Sequence, residues 1–323
     1  MITVLAGGVG AARFLRGLVQ VMPANDITAI VNTGDDTVMH GLYICPDLDT
    51  VTYTLAGAID DERGWGLRDE TWQAMQSLAR FVPVRPATSH AAPTWFNLGD
   101  RDIATHFYRT ARLAEGATLS EVTGEIAHAF ELHVRLLPMT DQRVETRVTV
   151  VGEGEISFQE YFVQRHHSVP ISDVHFRGAE QAVLTGLAAR ALMGADAIVI
   201  APSNPLVSIG PIRALAGVDT ALAARRASVV AISPIVGGAA LKGPADRMLE
   251  ELGHEVSVVG VARLYAPIAA TLVIDPVDAH LANDVEATGM RAIIAPSIMS
   301  TPAISAALAR AALGAAGVAS SSV

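Results

Sequence analysis

Three groups of residues in this chain have types and spacings that could do chemistry. The first is Gly7-Gly8-Val9-Gly10, which follows an apolar run and precedes a helical stretch that includes Arg13. Glycines let the backbone approach a phosphate, and a helix N-terminus offers free N–H donors and the positive end of its dipole. The loop is not a dinucleotide fingerprint, because Arg13 stands where a small residue is needed for the helix to pack on its strand. It also lacks the Lys-Ser/Thr ending of a P-loop. It is a phosphate-loop candidate in which Arg13 either adds charge to a diphosphate or faces solvent.

The second group is acidic. Asn32-Thr33-Gly34-Asp35-Asp36 leaves the second apolar run, and Pro46-Asp47-Leu48-Asp49-Thr50 follows. In extended backbone, residues two apart face the same way, which puts Asp47 and Asp49 on one side. Magnesium takes hard oxygens, usually one or two carboxylates plus ligand phosphates, so these carboxylates form a candidate Mg²⁺ site. The plainer alternative is that Asp35 and Asp36 cap a turn and that Asp47 caps a helix beginning near residue 50.

The third group is a pair of similar late loops. Pro202-Ser203-Asn204-Pro205 leads to Ser208-Ile209-Gly210-Pro211, and Ser233-Pro234-Ile235-Val236-Gly237-Gly238 leads to Lys242-Gly243-Pro244. Each follows an apolar run and places Pro where a helix opens. Together with the glycine loop they suggest a crevice for a nucleoside diphosphate. Asp102 and His106 are i,i+4 neighbours whose plain reading is surface pairing, with Asp100 as an N-cap. The histidines show no catalytic spacing, and neither G-x-S-x-G nor H-E-x-x-H occurs.

The elements that must position these residues alternate in type. Short apolar runs at 2–5, 27–31, 197–201, 228–232, 256–259, 271–274 and 292–295 read as strands. Helical stretches include 11–21, 180–193, 245–252 and 302–313. This alternation predicts an α/β fold: a Rossmann-like, mostly parallel sheet with helices on both faces. Residues 60–135 lack a convincing strand and carry helical windows at 69–80, 101–114 and 120–130, so they read as a helical insertion or lid. The division expected is a nucleotide-binding core of residues 1–59 and 136–323, with 60–135 as a helical insertion covering its crevice. Residues 144–163 alternate apolar and polar around Gly152-Glu153-Gly154, which reads as a hairpin. The tail 314–323, rich in small residues, is expected to fray.

Composition narrows the function. Half of the 323 residues are hydrophobic and 17% are charged, which excludes a disordered chain. Aromatics are only 5%, so the core must be aliphatic, as suits buried parallel strands. No apolar run approaches the ~18–20 residues of a membrane span. The first residues read as a strand and not as a signal peptide. One cysteine, Cys45, rules out an internal disulfide and a thiol-rich metal site. The net charge of −10 and the absence of a basic stripe argue against nucleic acid as a partner. The expectation from composition is a soluble cytoplasmic protein; small-molecule substrates and a homodimer are expected as well, the dimer without support from composition or spacing.

Taken together, the motifs resemble the 2-phospho-L-lactate transferases (CofD, or FbiA in actinobacteria) of coenzyme F420 biosynthesis. The matching pieces run in order along nearly the whole chain. They are the glycine loop through Arg13, Asn32 through Asp36, Cys45-Pro46-Asp47-Leu48-Asp49-Thr50, and Leu98-Gly99-Asp100-Arg101-Asp102 through His106. They continue with Leu137-Pro138-Met139-Thr140-Asp141, Phe158-Gln159-Glu160, Pro202 through Ile212, and Ser233-Pro234-Ile235. Gly64-Trp65-Gly66, Glu70-Thr71-Trp72 and Trp95-Phe96 look more like the actinobacterial branch.

The resemblance implies transfer of a phospholactyl or phosphoenolpyruvyl group from a guanosine-diphosphate-linked donor to the ribityl hydroxyl of the deazaflavin Fo, with GMP leaving and Mg²⁺ required. It maps deazaflavin contacts onto Asp49 and Asn97, and the metal onto Asp35 and Asp49. Donor contacts map onto Gly7, Gly8, Gly10, Arg13, Asn32, Ser203, Asn204, Ser208 and Ser233. Asp35, Asp36 or Asp49 would orient or deprotonate the hydroxyl, with no choice among them. Trp65, Trp72, Trp95 and Phe96 either cover the flat deazaflavin or pack the insertion. The main alternative is a non-catalytic nucleotide-sugar-binding regulator of the gluconeogenesis-factor type. The Thr37-Val38-Met39-His40 that follows Asp36 favours the transferase. A metal-dependent glycosyltransferase using Asp47-Leu48-Asp49 is a third reading that the full motif set disfavours.

Overall fold

Every residue of Ile2–Ala6 is buried, so the strand they form needs cover on both faces. The computed structural model, which describes residues 1–319, meets this need with one parallel sheet between two helical layers. Seven strands lie in the spatial order Arg291–Ile294, Thr271–Ile274, Val229–Ile232, Ala197–Ile200, Ile2–Ala6, Ile27–Val31, Arg135–Pro138. All neighbouring pairs run parallel. The expected α/β class is therefore the observed one.

Side chains alternate across this sheet as the pleat requires. Leu5, Ile30, Ile198, Ala231 and Leu272 join one apolar layer with the helices Gly186–Gly194 and Val258–Tyr265. Val4, Ala29, Val199, Val230 and Val273 join the other, with the helices Gly8–Leu18 and Pro302–Ala315. Strand order reverses at Ile2–Ala6: the next strand in sequence lies on one side and Ala197–Ile200 on the other. A doubly wound sheet opens its ligand crevice at that point, beyond the carboxyl ends of the strands.

Other elements surround the crevice. A three-stranded antiparallel sheet is built from Gly154–Ser157, Glu145–Val150 and Ile171–Arg177. Its first two strands are the hairpin expected around Gly152-Glu153-Gly154. Between the second and third strands of the main sheet, the chain forms the helices Pro46–Leu55, Gln73–Leu78, Asp100–Ala114 and Leu119–Ala129. Leu119 reaches the apolar layer of the main sheet. Met75 and Leu98 pack instead with Met39 and Ile44 in a small separate core.

Several local expectations are corrected. Residues 256–259 are not a strand. Ser257 accepts from the amides of Val259 and Gly260 and starts the buried helix Val258–Tyr265; its near-complete burial hides the helical period that would distinguish it from a strand. The strand Arg135–Pro138 was not anticipated, being short and ended by proline. Asp100 is not the N-cap of its helix: Gly99 holds that position. Instead the Asp100 carboxylate accepts from the amides of Gln73 and Ala74, which delays the first insertion helix to Gln73–Leu78. The last helix extends through Ala315, and the final four residues of the expected frayed tail lie outside those described. No helix among the described residues is long and apolar enough to cross a membrane.

Gly17 fixes how closely two helices of one layer approach. A Cβ on it would overlap the backbone of Ser305 in Pro302–Ala315. Backbone cannot move aside like a flexible side chain, so Gly17→Ala is expected to destabilise the fold by about 1–3 kcal/mol, an overpacking cost. Equilibrium unfolding of the variant checks this, and unchanged stability would show that the helices can separate freely.

Candidate active site

A cavity of about 900 Å³ opens at the strand-order reversal. Gly7 and Gly10 on one side meet the Pro202-Ser203-Asn204 loop on the other. A Cβ on Gly10 would overlap the Pro202 carbonyl, and one on Gly7 would come 2.6 Å from the Ser208 Cβ. Glycine is thus required there for close approach. Gly8 has φ +67°, a left-handed conformation that side chains rarely adopt. The helix Gly8–Leu18 begins inside the glycine loop, and Gly7 supplies no side-chain cap. The Asp47 carboxylate takes the Gly8 amide, and the other first amides are left for an anion or water.

Gly7, Gly8, Gly10, Arg13, Asp35, Asp49, Asn97, Ser203, Asn204, Ser208 and Ser233 all line this cavity. Several lining side chains are committed to their own loops. Ser203 Oγ donates to the Gly7 carbonyl at 2.7 Å. Asn204 Oδ1 accepts from the amides of Leu206 and Val207. Ser233 Oγ donates to the Ile235 carbonyl at 2.9 Å. These three shape the loops and leave ligand contact mainly to the backbone. Asn32 and Asp36 do not line the cavity and stand behind its wall. Asn32 Nδ2 donates to Asp47 at 2.9 Å, and its Oδ1 accepts from the Gly34 amide. Asp36 accepts from the Cys45 thiol at 3.1 Å.

The expected geometry of Asp47 and Asp49 is corrected. Residues 46–50 are not extended: Pro46–Leu55 is a helix with both carboxylates in its first turn. Two residues on a helix are about 200° apart, from 3.6 residues per turn. Asp47 accordingly turns toward Asn32 and the glycine loop. Asp49 turns toward Arg109, which bonds both of its oxygens, NH1 at 3.1 Å and NH2 closer.

Arg109 is 2% exposed and comes from the helix Asp100–Ala114. Its NH1 also lies 3.2 Å from His106 Nδ1. On the far side of the ring, His106 Nε2 is 3.3 Å from Asp102. Tyr53 donates to Asp102 at 2.6 Å. Asp102 and His106, read from the sequence as a surface pair, are thus buried in the cavity floor. Arg109 escaped the sequence reading altogether. The available signal was the 102, 106, 109 spacing, which puts three polar side chains on one helix face. The donor atoms of Asp49, Asp102 and His106 lie within 4.8 Å of one another, close enough to share a cation. The Arg109 guanidinium already fills that role.

Burial dominates the electrostatics. It pushes Asp35 well above the usual carboxylate range, and the charge of Asp47 adds to the effect. Burial also raises Asp36 strongly against the opposing Cys45 hydrogen bond. It pushes Asp47 to about 6 despite the Asn32 hydrogen bond and the Gly8 amide. Burial alone would raise Asp102 too, but the neighbouring His106 ring and the Tyr53 hydroxyl hold it below its ordinary value. Lys242 is lowered by burial and then by the charge of Arg13, since both cations face the cavity.

The aromatic residues divide. Trp65, Trp95 and Phe96 line the cavity, while Trp72 packs behind, 5.8 Å from Trp65. Arg63 sits over both tryptophan rings, 5.4 Å from Trp65 and 5.0 Å from Trp72. Phe158 and Phe162, stacked at 5.6 Å, add a second aromatic wall that the sequence did not reveal. Gly99 has a specific reason to be glycine: the Glu70 carboxylate occupies the place of its Cβ.

A carboxylate raised by folding favours the native state at low pH. That advantage is complete below the unfolded value of about 3.9 and is lost as pH rises through the raised native value. Asp35→Asn is therefore expected to melt higher than the parent protein at neutral pH in chelator, with the difference closing toward pH 4. A difference that stays constant with pH would show that Asp35 does not titrate with folding.

Comparison with known proteins finds relatives along nearly the whole chain. The family model described as 2-phospho-L-lactate transferase CofD matches residues 2–295. A phosphoenolpyruvate transferase of Streptomyces griseus is 47% identical over 316 residues, covering 97% of both chains. One from Nocardia farcinica is 43% identical, covering 98% of this chain and 95% of its own. One from Mycobacterium tuberculosis is 42% identical, covering 98% of this chain and 99% of its own. Among solved structures, a UPF0052 family protein of Bacillus halodurans matches with TM-score 0.59 and 14% identity, covering 97% of this chain and 98% of its own. That last likeness is one of fold.

Proposed function

We propose a reaction for this chain, which belongs to the CofD family of 2-phospho-L-lactate transferases. It moves a phosphoenolpyruvyl group from a guanosine-diphosphate-linked donor to the ribityl hydroxyl of the deazaflavin Fo, releasing GMP, in coenzyme F420 biosynthesis. The choice of enolpyruvyl over lactyl rests on the phosphoenolpyruvate transferases that are 41–47% identical to it. Family membership likewise favours a transferase over the regulator reading.

The observation that carries the proposal is that one cavity joins two unlike walls. The sheet contributes the glycine loop, the Ser203 and Ser233 loops, Arg13 and Lys242, which suit a diphosphate. The helix Pro46–Leu55 and the segment 60–114 contribute Asp49, Asn97, Trp65, Trp95 and Phe96, which suit a flat ring carrying hydroxyls. The acceptor oxygen bonds to the phosphorus that carries the enolpyruvyl ester. The bond from that phosphorus to the oxygen of GMP breaks, and the hydroxyl proton is released. Such displacement needs alignment and charge neutralisation more than a covalent relay. Cys45, the sole thiol, is buried, and burial holds its pKa well up, so it supplies no ready nucleophile.

The donor set fits Mg²⁺. Asp35 Oδ1 is buried with no hydrogen-bond partner, and the Asp47 charge acts on it. Hard oxygens left uncompensated in a dry site are what a small divalent cation takes. Asp49, assigned to the metal by resemblance, has both oxygens on Arg109, so the geometry favours Asp35 with Asp47 as ligands. The bound cation would supply charge neutralisation at the diphosphate. Asp49 then serves the acceptor hydroxyl.

Incubation with Fo and the enolpyruvyl donor is expected to release GMP and give a product retaining deazaflavin fluorescence. Asp49→Asn, which keeps the shape and one oxygen for Arg109, is expected to lower turnover at least ~100-fold, the scale of a lost alignment. Asp49→Ala should lose turnover and melt lower as well, because it leaves the buried Arg109 charge unpaired. Chelation should stop the wild-type reaction and added Mg²⁺ restore it. Failure of the wild type to bind Fo by fluorescence titration would overturn the reading.

A further inference from the structure

We propose that Arg109 and His106 are positioning residues: through them the helix Asp100–Ala114 aims the Asp49 carboxylate at the acceptor hydroxyl. The inference rests on the function proposed above and extends it to residues that contact Asp49 from the insertion.

The argument starts from what each group can donate. Arginine only donates hydrogen bonds. The 3.2 Å approach of Arg109 NH1 to His106 Nδ1 therefore makes Nδ1 the acceptor. In the neutral ring the proton then sits on Nε2, facing Asp102 at 3.3 Å. Asp102 is fixed in turn by the Tyr53 hydroxyl at 2.6 Å. Tyr53 lies four residues after Asp49, on the same face of the helix Pro46–Leu55. Two contacts thus join the two helices, Asp49 to Arg109 and Tyr53 to Asp102, and the buried His106 ring sits between them, bonded to Arg109 and in close approach to Asp102.

The arrangement has a direction. Asp49, Tyr53, Asp102 and His106 face the cavity, while Arg109 stands behind them. A guanidinium gripping both carboxylate oxygens fixes the plane of Asp49. Each carboxylate oxygen has a second lone pair, so Asp49 still has capacity for a hydroxyl on the cavity side. A mobile carboxylate would hold the same hydroxyl in many orientations, few of them in line with the phosphorus. The device also makes the insertion part of the acceptor site's alignment and not merely its cover.

The test compares substitutions that keep shape with those that keep polarity. His106→Asn places an amide oxygen near Nδ1 and preserves an acceptor for Arg109. His106→Leu preserves volume but not the acceptor. Arg109→Met removes the grip, and Arg109→Lys keeps only the charge. The Leu and Met variants are expected to lose ~100-fold in kcat with the donor KM within a few-fold of wild type, as misalignment predicts. His106→Asn should recover at least about ten-fold over His106→Leu, and Arg109→Lys should lie between Arg109→Met and wild type. Melting curves and Fo fluorescence titrations identify variants that merely unfold. If His106→Leu equals or exceeds His106→Asn in kcat, His106 is a packing residue and the proposal falls. If donor KM rises while kcat holds, the network serves binding and the proposal also falls. A wild-type enzyme inert toward Fo would instead defeat the proposed function, so the two failures are distinguishable.

Discussion

The buried pairing of Arg109 with Asp49 is the interaction on which the site depends. A guanidinium exposed by only 2% is tolerable only where its charge and donors are answered, and Asp49 answers them with both oxygens. The two residues belong to different helices, one of which begins at the crevice and the other of which lies in the insertion. Removing either partner would strand a buried charge. The position of the insertion over the cavity is therefore tied to the chemistry beneath it.

The remaining carboxylates are in the opposite condition. Asp35 and Asp36 each keep one buried oxygen without a hydrogen-bond partner, and burial raises both. Nothing in the apolar layers requires such groups, and they oppose folding at neutral pH. Local instability of this kind is expected at functional sites, where a ligand or cation completes what the protein leaves open. The contrast gives the acids different roles. Asp49 is completed within the fold and Asp47 is answered by Asn32 and the Gly8 amide, while Asp35 keeps a buried oxygen for something from outside.

The donor wall is built on a different plan. Ser203, Asn204 and Ser233 commit their side chains to their own loops, and Gly7 and Gly10 have no side chain to offer. What remains facing the cavity is mostly backbone. Amides at a helix start recognise phosphate without demanding a particular side chain, and they are held rigidly because the loops interlock at the strand-order reversal.

Sequence by itself determined the α/β class, because aliphatic runs of strand length alternating with helical stretches have few other ways to be buried. It also marked the glycine loop, the Asn32–Asp36 segment and the two late loops, since each follows a strand of the main sheet, and strands of a parallel sheet all end at the same edge. Tertiary structure alone decided how those residues divide the work. Asp47 and Asp49 parted because 46–55 is helical, which local sequence left ambiguous behind Cys45 and Pro46. Asp36 and Asn32 were set behind the wall by their bonds to Cys45 and Asp47. Arg109 stayed invisible because a buried arginine and a solvated one look alike along a helix. Only the arrival of Asp49, 60 residues earlier in the chain, distinguishes them. The residue types were legible from the sequence, but their partners were not, because the contacts that assign roles join segments far apart in the chain.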